Sequence, residues 1–417
     1  MMKILILLLI SITKEKLTFP FSIGNLTGTF YNKRIDNNIS TNVYIGDPII
    51  KFPLSIKLRQ YPLLLADVMS NIRKDIPRYD PVKSRTYDEY WGERDIYNEE
   101  YFVSGFRVYD YFYFGNENVS NKFNFILVRE AKKHFSGILG LSLYKNDQIS
   151  KFNLIGQLKN YNFTKNKTFY FNFEDNKLIF DDYPHITYGD KYKEINFRSV
   201  KSYIDNQAQN FDIMFDVITY KKYVEKDKVI ELTVESDLFK GSSEFGKYLF
   251  NNYFSKYKDC EKTVVLDKYY SFVCNSKKAM KNFEDIDFLL KEEEMVFYLS
   301  KNELFKEEDG KYYFLMYFDE KEDNKWSFGK NFFSKYILVF DVDKKQIGFY
   351  FEKKKTNTLL YILLVSFIVI AIVLGGFLYY HIINKPRRKR ANELEDDYDY
   401  ITETEEKGEG VQKLLQS

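Results

Sequence analysis

The chain runs to 417 residues, enough for two or three domains. Its 62 Lys and Arg stand against 60 Asp and Glu, a net charge of +2, which excludes the basic excess of a dedicated nucleic-acid binder. With three His and two Cys in all, and no clustered ligands, neither a metal nor a cofactor is expected.

In chain order the first element is apolar. Lys3 precedes the run Ile4–Leu9, extended by Ile10 and Ile12. It is too short to cross a bilayer, so residues 1–13 read as a signal peptide. An ectodomain over 17–355 follows, rich in short alternating or apolar runs separated by turn residues. Asn42–Asp47 is one. Next comes KFPLSIKLRQYPLLLAD, Lys51–Asp67, where Phe52, Leu54, Ile56 and Leu58 share one face at period two. Ser55, Lys57 and Arg59 share the other, and periodicity alone makes the two cations a solvated strand face. Strands are also predicted over Phe123–Val128, Lys167–Phe173, Asn176–Asp182, Phe211–Tyr220, Lys228–Val234, Tyr312–Phe318, Tyr336–Asp343 and Gln346–Glu352. Helices are few. Leu154–Tyr161 is short; Ser242–Tyr257 has a serine cap and helical spacing of Phe245, Tyr248, Leu249 and Phe254. The fold is therefore mostly β with a few short helices.

The only cysteines, Cys260 and Cys274, either form a bridge closing a short loop or are two free thiols; oxidising surroundings favour the bridge. Glycosylation sequons at Asn25, Asn38, Asn118, Asn162 and Asn166 are compatible with a lumenal ectodomain. Leu359–Ile383 is apolar with only His381 titratable, and as a helix would reach ~37 Å, enough to span a membrane once. Tyr361, Tyr379 and Tyr380 lie near its ends, where aromatic belts form. The cations of Lys385–Arg390 outnumber those of Lys353–Lys355. That bias places the bulk outside and the charged, disordered tail 384–417 in the cytosol, a single-pass type I arrangement.

Taken in order, several pieces resemble the pepsin-like aspartic peptidase family: NVYIGDPIIKFPLSI, YFVSGF, SGILGLSL, FNLIGQLKNYNFTKNKTFYFNF, NKLIFDDYPHITYGDKYKEINF, CEKTVVLDKYYSFVC and WSFGKNFFSKYILVFDVDKKQIGFYF. The resemblance implies a bilobal fold with a peptide cleft, an N-lobe of about 40–190, a C-lobe of about 191–351, and a disulfide in the cysteine segment. Lys57 stands ahead of Gly140 much as Leu232 stands ahead of Gly329, the trace of a duplicated lobe.

The family's chemistry needs two carboxylates sharing one proton, each on an Asp-Thr/Ser-Gly turn. Aligned on FPLSI, the first turn becomes Lys57-Leu58-Arg59; aligned through Ser242-Ser243, the second becomes Leu232-Thr233-Val234. Both acids are replaced. Nearby fallback acids are Asp67, Glu231, Glu235 and Asp237. A one-residue slip puts Glu231 in the second position, and Asp67 lies beyond the first turn. At the flap, Tyr97 is one position off the expected tyrosine and Asn98 opens a stretch lacking glycine. Lys57 is expected to face a carboxylate across the lobes or to point into water. The resemblance, its replaced acids, the sequons and the apolar span together imply an inactive, glycosylated membrane protein that binds a peptide or protein in the interlobe cleft. The alternatives are an active endopeptidase with acids elsewhere and a purely structural surface glycoprotein. Tyr398 and Ile401 resemble a tyrosine-based sorting signal, implying endocytic adaptors as partners and residence at the surface or in the endolysosomal pathway.

Overall fold

The structure, a computed structural model, describes residues 17–24, 29–35, 39–59, 62–97, 102–113, 120–144, 153–188, 192–199, 208–209, 211–290, 295–321, 324–352 and 358–384. The expected signal peptide, Asn25, Asn38, Asn98, Asn118, Tyr398 and Ile401 lie outside them. The chain divides into two units, 1–353 and 354–417.

Alternation dictates the strands of the first unit. In Ile50–Lys57, Phe52, Leu54 and Ile56 enter the core, with Leu58 just beyond, none more than 3% exposed. Burying side chains of this size contributes about 1.5–3 kcal/mol each. The strand does not end at water. Lys57, expected on a solvated face, is itself buried, because the second half of the chain covers that face.

One strand motif is used twice. First, Ile50–Lys57 pairs in parallel with Gly137–Gly140, which is antiparallel to Leu63–Ala66, which is parallel to Ser120–Ala131. Second, Tyr223–Leu232 pairs in parallel with Trp326–Phe328, which is antiparallel to Phe239–Gly241, which is parallel to Met316–Asp319. The same order and the same senses recur, so the unit consists of two related lobes. At Gly329 the two limbs of the second motif touch: a Cβ there would stand 2.3 Å from the Ser236 carbonyl oxygen and 2.5 Å from that of Leu238.

A single sheet joins the lobes. At its centre Thr168–Asn172 pairs antiparallel with Ile337–Asp341, and Phe169 stacks on Phe340 at 4.8 Å. Lys177–Phe180 and Thr18–Ile23 extend it on one side, Gln346–Glu352 and Tyr192–Ser199 on the other. Thr18–Ile23 and Tyr192–Ser199 therefore occupy matching places about a local twofold. The first of these was not anticipated, since the resemblance starts near Ser40. Its own signal is the alternation that buries Phe19 and Phe21 but not Ser22.

Two predicted elements are broken. Tyr312–Phe318 divides at Leu315 into Lys311–Phe314 and Met316–Asp319. The Leu315 amide donates to the Leu304 carbonyl and its own carbonyl accepts from Phe239, so the residue links two ladders and belongs to neither. The helix expected over Ser242–Tyr257 is capped by the Ser242 hydroxyl, which accepts from the Phe245 amide, but covers Ser243–Asn252. A single tighter turn, Phe254–Lys256, follows. The shorter predicted helix forms as Leu154–Asn160, its first amides held by the Asn153 side chain.

The second unit carries the helix Thr358–Tyr379, continued by a wider turn over Tyr380–Asn384. It is the one described helix long and apolar enough to cross a membrane, by length and composition.

Candidate functional site

The two motifs bring equivalent strand ends together, and register defines the equivalence. Leu139 lies abreast of Ile56, and Phe328 abreast of Leu232; each is followed by glycine. The next residues along are Lys57, whose carbonyl accepts from the Leu141 amide, and Thr233, whose amide donates to the Phe328 carbonyl. The second-lobe counterpart of Lys57 is therefore Thr233. The alignment that put Leu232 there is out by one: Leu232 matches Ile56, and both are core residues, at most 1% exposed. The slip towards Glu231 runs the wrong way. Counting on, Leu58 matches Val234 and Arg59 matches Glu235.

Charges cross between the lobes at these positions. Lys57 Nζ lies 3.3 Å from Glu235 Oε2. Arg59 holds two carboxylates of the other lobe, Asp212 Oδ1 at 3.1 Å through Nη1 and Glu231 Oε1 at 3.4 Å through Nη2. One guanidinium thus bridges two acids, a geometry its planar fork suits. Burial pushes the Asp212 carboxyl up to about 6; Arg59 opposes this and the negative charge of Glu231 adds to it. Asp212 was not singled out from sequence, where it lies inside an apolar run. A lone acid beside Phe211 and Ile213 was the available signal.

The remaining fallback acids are engaged elsewhere. Asp67 is fully buried, receives the Met69 amide and sits 2.5 Å from Arg129 Nε. Asp237 lies 2.7 Å from Lys330 Nζ and 3.7 Å from Arg34 Nη1. Burial lowers the Lys330 ammonium, and Asp237 opposes that shift. Each acid proposed from sequence is therefore matched to a cation. Among the described residues no group of three or more His, Cys, Asp or Glu could hold a metal.

The other predicted sites fall as follows. Cys260 and Cys274 are bonded, tying the ends of the hairpin formed by Cys260–Val265 and Tyr269–Cys274. Tyr97 ends the strand Asp88–Tyr97, which forms a hairpin with Phe102–Tyr113, where a flap is expected. Asn162 and Asn166 are exposed, and the Asn166 side-chain amide donates to Asp181 at 2.9 Å.

A duplicated parallel-strand motif, two lobes and a shared sheet define a pepsin-like β protein. Residues 67–350 match the family model for eukaryotic aspartyl protease, and the chain belongs to that family. The matched span begins after the Lys57 turn. No curated protein matches the chain.

Proposed function

We propose that this family member binds a peptide or protein at the junction of its lobes and does not cleave it. The observation that carries this is the cross-lobe set Lys57–Glu235 and Arg59–Asp212–Glu231. Peptide hydrolysis by this fold needs opposed carboxylates that share one proton, one as base on water and one as acid on the carbonyl. An ammonium paired with a carboxylate offers no such shared proton. The arginine at 59 further fills the place that a glycine keeps open for the turn. What remains is a set of ion pairs joining the two β lobes, at a junction suited to an extended chain held by strand pairing.

The protein is anchored by Thr358–Tyr379 as a type I membrane glycoprotein. Tyr398 and Ile401 engage sorting adaptors from the cytosolic side.

The test is restoration in register. Lys57-Leu58-Arg59 and Thr233-Val234-Glu235 are both changed to Asp-Thr-Gly, and both forms are assayed on an unfolded protein at acidic pH. The unmodified chain is expected to be inert. Cleavage by it that disappears in Glu235→Gln or Asp212→Asn would establish an active endopeptidase instead. Binding from a peptide pool, lost in Arg59→Ala, separates the proposal from a purely structural role.

A further inference from the structure

Residues 29–35 belong to neither sheet, yet they lie against the second lobe through a defined set of contacts. The Phe30 ring stacks on Tyr313 with centroids 3.8 Å apart. The Tyr31 hydroxyl lies 3.0 and 3.1 Å from the carbonyl oxygens of Phe272 and Phe314, which share its one proton. Both rings are buried in a small apolar cluster with Leu238, Val265, Val273 and Leu315, separate from the main core. Arg34 lies over Phe30, 2.9 Å from Glu308 and 3.7 Å from Asp237. The Arg34 carbonyl accepts from the Asp237 amide at 2.8 Å and from the Ser236 hydroxyl at 3.3 Å.

This has the form of a ligand in a site. Two aromatic side chains fill an apolar pocket, a polar tip finds backbone acceptors, and a cation meets two carboxylates. The segment's own helix, Asn32–Ile35, is four residues long and has no stability apart from these contacts. The site also adjoins the lobe junction, because Ser236 and Asp237 directly follow Glu235, the partner of Lys57.

We propose that the second lobe carries a recognition site for peptides with two adjacent aromatic residues followed at the third place by arginine, and that residues 29–35 occupy it in cis as an exchangeable strap. The proposal goes beyond the binding reading above, because this site lies on the second lobe beside the Lys57 and Arg59 pairs and shares no residue with them, and it names the class of peptide. Specificity divides between the parts. The cluster around Leu238 and Leu315 selects the aromatic pair, and Glu308 with Asp237 selects the cation. A trans peptide gains access only when the strap leaves, so the resting chain is closed to it.

The test uses the full chain in detergent micelles and a fluorescent peptide of sequence TFYNKRI, residues 29–35. Wild type is expected to bind it at least tenfold more weakly than a strap-disabled form, Phe30→Ala/Tyr31→Ala/Arg34→Ala. A milder form, Tyr31→Phe/Arg34→Ala, keeps the aromatic stack and serves if the triple variant unfolds. Adding Glu308→Arg to either is expected to reduce binding at least tenfold, and a peptide with glutamate in place of its arginine to regain it. Absence of saturable binding to a folded strap-disabled chain, or binding indifferent to Glu308→Arg, overturns the site. Proteolysis by the unmodified chain would overturn the non-catalytic reading and leave this site standing.

Discussion

Lys57 and Glu235 are a partly buried pair, their side chains 7% and 19% exposed. Removing one partner leaves the other desolvated and uncompensated, so Lys57→Met and Glu235→Gln should each cost about 3 kcal/mol of stability. Replacing both should cost less than the sum by at least about 1 kcal/mol, read from urea midpoints of the four forms. Additive costs would mean that the pair is not coupled. Asp212 predicts a pH effect with a fixed sign. Its folded pKa, about 6, lies above the ordinary 3.8. The folded state therefore binds the proton more tightly, and stability is lost as pH rises from about 4 through 6. The difference amounts to about 3 kcal/mol. Asp212→Asn should gain on wild type across that window, measured as the difference in unfolding midpoint at pH 4 and pH 7; a difference that stays constant would rule out the raised carboxyl. The pairing of Lys57 was half legible in sequence. Resemblance pointed to a cation facing a carboxylate, whereas periodicity pointed to solvent, because period two reports a face and not what later covers it.

At the scale of elements, the parallel junctions fix which residues face one another, and glycine sets how close the strands come. Gly329→Ala would push a methyl group into the Ser236 and Leu238 carbonyls. Overpacking against backbone cannot be relieved by a rotamer change, so a loss of about 3 kcal/mol is expected. A melting temperature within a degree of wild type would show that the limbs can separate freely. Sequence marked this glycine as the counterpart of Gly140 but not the register it sets. Alignment through Ser242-Ser243 left a one-residue error, which only the ladder between Leu232 and Phe328 resolves. The long runs were read well because they are buried either on alternation, as in Ile213–Tyr220, or throughout, as in Thr168–Asn172. Leu315 was not, since an apolar residue that changes ladders looks like any other member of an apolar run. The bridge closing residues 260–274 belongs to this scale too. A closed loop of that size stabilises by ~3 kcal/mol in the chain-entropy account. Cys260→Ala/Cys274→Ala should therefore lower the melting temperature by several degrees without altering far-UV circular dichroism.

For the whole molecule, duplication made the fold legible: the seven ordered resemblances include part of each copy of the motif, Gly137–Gly140 in the first and Trp326–Phe328 in the second, and both copies fold. The matching place of Thr18–Ile23 was hidden because it lies upstream of the resemblance, although the twofold requires a partner for Tyr192–Ser199. Division of the chain at Lys353 and Lys354 leads to a last prediction. The β unit holds its own core, while the helix beyond it, 22 residues long, is apolar all round. At ~1.5 Å per residue it reaches ~33 Å, close to the ~30 Å of bilayer hydrocarbon. A helix with no polar face gains nothing from water and needs lipid or protein around it. If lipid is its surround, a chain ending at Lys353 should stay in the aqueous phase of a detergent partition and melt within about 2 °C of the full chain. The full chain should enter the detergent phase. A truncated chain that aggregates or melts far lower would mean that the helix packs on the β unit, and the membrane assignment would fall with it.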